Sequence, residues 1–77
     1  MHRAILAAMD TNPPVKVPGA VLAAERDTYG VTRIELARRL GLHRNTLRDW
    51  ENAPEVDVIR QRRYRKALTE IAAEAVS

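Results

Sequence analysis

Residues 32–51 read TRIELARRLGLHRNTLRDWE. Leu36, Ala37 and Leu40 keep a helical spacing, the pattern halts at Gly41, and it resumes in a different phase at Leu47 and Trp50. Two short helices around a glycine turn fit this pattern. Thr32 and Glu35 have the spacing of a capping box, which starts the first helix. Gly41 stops it, because glycine enters the left-handed conformation without steric cost. The second helix is expected from about Arg44 to Glu51, ended by Asn52-Ala53-Pro54. Ala37 falls where the two helices should cross, and a larger side chain there would push them apart. Leu36, Leu40, Leu42, Leu47 and Trp50 should meet as a small core.

Outward from this stretch the chain divides simply. Ile5, Leu6 and Met9 could share one side of a short helix over residues 2–9, and TNPPVKVPG (residues 11–19) is a linker or arm, because its prolines remove donors and favour extended backbone. Pro18 suits a helix start, and Ala20, Val21, Ala24 and Thr28 mark a helix ending before Gly30. After Pro54 a long amphipathic helix is expected from about Asp57 to Val76, with Ile59, Tyr64, Leu68, Ile71 and Ala75 on one face. Nothing alternates with period two. The expectation is an all-α fold of four to five helices, with residues 1–17 as arm or short helix and residues 18–77 as the domain.

Seventy-seven residues leave room for one domain and a small core. The chain has no cysteine and only two histidines, His2 and His43, so no metal site or cofactor is expected. The apolar run Ala4–Met9 is too short for a signal-peptide core, and no segment approaches a membrane span. A soluble, cytoplasmic protein is expected. No nucleophile–base pair, carboxylate pair or phosphate-cradling glycine loop can be assembled, so an enzyme is not expected.

The formal net charge of +3 hides an asymmetry. Between Arg33 and Lys66 there are ten Lys/Arg against five Asp/Glu, whereas the rest of the chain holds three against five. Such a stripe is either a solvated helix face or the footprint of a polyanion site, and charge alone does not choose. Subtracting the core from the second helix leaves Arg44, Asn45, Arg48 and Asp49 outward. Arg bridges guanine O6/N7, Asn pairs with adenine and Asp accepts from cytosine N4, so this face suits a DNA major groove. Arg60, Arg62, Arg63, Arg65 and Lys66 stay open between a second backbone contact and a wet face.

Residues 20–52 resemble the Cro/CI-type (XRE-like) helix-turn-helix regulators of bacteria and phages, in TRIELARRLGL, the following RNTL, and the terminal WE. The segment GLHRNTLR also resembles the recognition part of Fis-type helix-turn-helix domains. The Cro/CI resemblance implies phosphate contact by Arg33, base reading by Arg44 and Asn45 and, one turn on, Asp49, and a further phosphate contact at Asn52. Arg48 is placed with the base readers, and Thr32, His43 and Thr46 with the backbone contacts. Three departures stand out: His43 where the family commonly has a serine-like cap, the negative Asp49, which a base amine or Arg48 would offset, and one long closing helix in place of two short ones.

The expected function is sequence-specific binding of double-stranded DNA by a small Cro-like repressor, without a cofactor or small-molecule effector. One such module offers few base contacts, so a homodimer on a palindromic operator is expected, with Leu68, Ile71, Ala75 and Val76 as its seam. Truncation after about Gln61 should then leave a weak monomeric binder. An architectural role, excisionase-like or packaging, is the alternative within DNA binding. A protein–protein adaptor docking through the last helix is the alternative outside it.

Overall fold

The computed structural model describes residues 15–75. Four helices follow one another: α1 (Gly19–Tyr29), α2 (Arg33–Leu40), α3 (Arg44–Asn52) and α4 (Val58–Ala75). Among the described residues there is no strand, only one isolated antiparallel bridge between Val17 and Val56, and the fold is all-α with a long last helix. The helix expected over residues 2–9, Pro13, Pro14 and Val76 lie outside the described residues.

The local signals at α2 act as their chemistry predicts. The Glu35 N–H donates to Thr32 Oγ1 at 3.1 Å and the Thr32 N–H donates back to Glu35 Oε1 at 3.2 Å, completing the capping box. Gly41 closes α2 at φ 70, and the Leu42 N–H reaches back to the Ala37 carbonyl at 2.9 Å. The backbone therefore leaves α2 and enters α3 within three residues.

The core joins all four helices: Leu22, Val31, Leu36, Ala37, Leu47, Val56, Tyr64, Ala67 and Leu68, with Val17, Leu40, Trp50, Ala53 and Ile71 packed against it. Leu42 is only half-buried. α1 packs on α3 and α4, and α2 on α3 and α4. The close approach of α1 to α3 depends on Gly19, whose N–H donates to the Ala53 carbonyl at 2.9 Å. A methyl group at Gly19 would overlap the Trp50 carbonyl oxygen and come within 2.6 Å of the Glu51 backbone. The positive end of the α1 dipole thus rests on the negative end of α3.

Two faces differ from expectation. Ala20, Val21, Ala24 and Thr28, the residues that signalled α1, lie on its exposed side, while Gly19, Leu22 and Arg26 are buried. The helix turns this way because Arg26 carries its charge inward to a buried partner. On α4, Ile59 is 71% exposed and Ala75 is exposed, whereas Gln61, Tyr64, Ala67 and Leu68 are buried. Gln61 goes inward because its amide donates to the Val15 carbonyl at 2.8 Å and the Val56 carbonyl at 2.9 Å. Those bonds, with the Val17–Val56 pair, strap residues 15–17 to the α3–α4 connection.

The expected dimer seam also needs correction. Leu68 is only 1% exposed and belongs to the domain's own core, so it has no surface to offer a second chain. Ile71 is half-buried against the same core, and among the described seam residues only Ala75 stands clear. α2 and α4 pack closely enough that the middle of the α4 stripe, Tyr64 and Leu68, is consumed within the domain.

Candidate nucleic-acid interface

α3 is nine residues long, and its two fully inward side chains are Leu47 and Glu51, one turn apart. Arg44, Asn45, Thr46, Arg48, Asp49 and Asn52 are all exposed, so the outward set expected from the sequence is outward. His43 caps the helix: its Nδ1 accepts from the Asn45 N–H at 3.0 Å. A ring nitrogen that accepts leaves the imidazole N–H on Nε2, where it can meet another acceptor. Beside this turn, Thr32, Arg33 and Ile34 of the α2 start and Arg44, Asn45 and Arg48 of α3 line one open concavity.

The arginines divide sharply by partner. Arg39 pairs with Glu70 and Glu74, Arg60 with Asp57, and Arg65 with Glu25 through two bonds of 2.9 and 2.7 Å. Among the described residues, Arg38, Arg44 and Arg48 form no ion pair. Neither does Asp49, and Arg48 does not neutralise it, since neighbours in a helix point apart. Arg62, Arg63 and Lys66 of α4 form no ion pair either among the described residues, so uncompensated positive charge lies on the exposed faces of α2, α3 and α4. The Arg60 and Arg63 guanidinium carbons each lie 5.6 Å from the centre of the half-buried Trp50 ring, which holds two α4 cations beside α3. Of the α4 basic residues left open on sequence, Arg65 is an internal ion-pair partner.

Beneath the exposed face lies a buried network that periodicity did not indicate. Glu51, 4% exposed, accepts four hydrogen bonds: Arg26 Nε at 2.8 Å, Arg26 Nη2 at 3.1 Å, Arg33 Nε at 3.0 Å and the Tyr64 hydroxyl at 2.6 Å. Arg26 Nη1 donates to the Val31 carbonyl at 3.0 Å. Burial pushes the Glu51 carboxyl up, but the bonds from Arg26, Tyr64 and Arg33 outweigh it and hold the group below the ordinary carboxylate range. Burial, and then the bond to Glu51, push the Tyr64 hydroxyl well above its usual value. The available signal was phase: Arg26 follows Leu22 by four residues, and Glu51 follows Leu47 by four.

A family model described as helix-turn-helix matches residues 22–68, from the first core leucine of α1 to the last of α4. The chain belongs to the XRE-type (Cro/CI-like) helix-turn-helix family. Neither a curated protein nor a solved structure matches it at a significant level. XRE-type domains bind double-stranded DNA in transcription regulation and are not a catalytic family, which gives this chain a DNA-binding, regulator-type function. Among the described residues, no helix is long and apolar enough to cross a membrane.

Proposed function

We propose that this XRE-type domain is a Cro-like repressor that inserts α3 into the major groove of a two-fold DNA operator. The supporting observation is the exposed α3 face itself, where Arg44, Asn45, Arg48 and Asp49 stand together and neither arginine is neutralised by a carboxylate. These four read base edges: the arginines suit guanine, Asn45 suits adenine and Asp49 suits cytosine N4. Thr32, Arg33, His43, Thr46 and Asn52 contact the backbone and set the register of α3. For His43 the donor is the Nε2–H left over once Nδ1 caps α3.

Four readers give one module limited discrimination, so two copies on a palindrome supply the rest. Repression then follows from occupancy, governed by the protein's own concentration, without an effector. In-vitro selection of bound duplexes from a random pool tests the whole reading. A palindromic consensus with half-sites one helical turn apart is the expected result. An unenriched pool bound with steep salt dependence would replace it with an architectural role, and salt-insensitive or absent binding would leave the adaptor role.

A further inference from the structure

Arg26 and Arg33 share one carboxylate, but they are held differently. Arg26 gives Glu51 both Nε and Nη2 and spends Nη1 on the Val31 carbonyl, and its side chain is 11% exposed. Its fork is consumed. Arg33 gives Glu51 only Nε, at 3.0 Å, and its side chain is 40% exposed. Among the described residues neither Nη of Arg33 has a partner. Arg33 lines the open concavity together with Arg44, Asn45 and Arg48.

A guanidinium has five N–H donors in a rigid plane, so fixing Nε fixes the direction of the four on the nitrogens beyond it. Glu51 is itself immobile: one oxygen is held by Arg26 and Tyr64, the other by Arg26 and Arg33. A flexible arginine would lose rotamer freedom on gripping a phosphate, and a tethered one has already lost it. Free Nη donors beside two unneutralised arginines match the planar, two-pronged recognition of a phosphate oxyanion.

We propose that Glu51 is a positioning residue for DNA binding: from inside the core it orients Arg33 by its Nε, so that the Nη edge meets a backbone phosphate without releasing the carboxylate. This rests on the reading of the α2–α3 face as the DNA contact. It also makes Tyr64 a participant, since the α4 hydroxyl holds the second oxygen of the same carboxylate.

The test measures affinity for a short mixed-sequence duplex against salt, for wild type, Arg33→Ala, Glu51→Gln, the double variant and Arg33→Lys. Arg33→Ala should reduce the slope of log K against log[salt] by about one. Glu51→Gln should reduce it by the same amount, and the double variant no further. Arg33→Lys keeps the charge and the core carboxylate, but it has no nitrogen beyond the one drawn to Glu51, so the Nη edge aimed at the phosphate is lost and it too should lose about one unit of slope.

Glu51→Gln acting on affinity with an unchanged slope, additive losses in the double variant, or a steeper slope on freeing Arg33 would each overturn the proposal. If Glu51→Gln does not fold, Arg33→Lys decides, and a wild-type slope there overturns it. Failure of the wild-type protein to bind duplex with any salt dependence is a separate result, which sinks the α2–α3 face as the DNA contact.

Discussion

The Tyr64 hydroxyl donates to the Glu51 carboxylate at 2.6 Å, so the middle of α4 is bonded to the last turn of α3 inside the core. Both groups are buried, and the acceptor is charged. Tyr64→Phe keeps the ring and deletes this bond alone. Hydrogen bonds to buried charges contribute about 1.5–3 kcal/mol, and the loss should appear as a lower urea midpoint at constant slope. An unchanged midpoint would mean that Arg26 and Arg33 satisfy Glu51 without α4.

The same carboxylate sets a pH dependence. Its folded-state value lies below the ordinary carboxylate value, so on acidification the unfolded chain takes up the proton first. The stability it contributes is complete above that ordinary value and is lost as pH falls through the lower folded value. Carbon-detected NMR should show the Glu51 carboxyl titrating below the ordinary glutamate range. A midpoint within that range would remove the network as a source of acid sensitivity.

Gly19→Ala should be severe although nothing in the local sequence forbids it. The new methyl group would overlap the Trp50 carbonyl, forcing α1 away from α3. Overpacking of this kind costs about 1–3 kcal/mol, a large share of a small domain's stability. Thermal melting checks it, and a wild-type midpoint would show that α1 and α3 separate without cost.

Gly19 also shows where sequence reading stops. Helix ends were legible because caps are local chemistry: Thr32 with Glu35, and the glycine after each of α1 and α2, act within a few residues. The close approach at Gly19 is made by residues more than thirty positions away, so the linker pattern around it carried no trace. Charge misled in the same way. Hydrophobic periodicity counts Arg26 and Glu51 as surface, yet each neutralises the other inside, and that exchange turned α1 onto its unexpected face. Of the candidate interface, the α3 residues were legible by subtraction from Leu47, because an isolated helix has only one side left once its core side is known. The tether on Arg33 was not, since it depends on a carboxylate from another helix.

Arg44→Ala should cost about 1–3 kcal/mol on the selected operator and relax preference at one base pair. Its side chain is exposed at the start of α3 without a carboxylate partner, so its removal leaves the core untouched. Equal weakening on every sequence would demote it to a phosphate contact.

Truncation separates the two roles of α4. Cutting after Gln61 removes Tyr64, Ala67 and Leu68 from the core, so this fragment should be unfolded by far-UV circular dichroism, not the weak monomeric binder that the amphipathic pattern alone suggested. Cutting after Thr69 keeps those three. It removes the half-buried Ile71 and the Arg39 pairs with Glu70 and Glu74, which are exposed, solvent-screened contacts that contribute little. That fragment should melt cooperatively, somewhat below the intact chain. Its behaviour on a two-fold operator then locates the dimer contact. If two copies of the intact chain assemble through Ile71 and Ala75, sedimentation on operator DNA should show two bound copies for the intact chain and independent half-site binding for the fragment. Equal cooperativity in both would place the contact elsewhere on the domain, and a single bound copy in both would end the dimer reading.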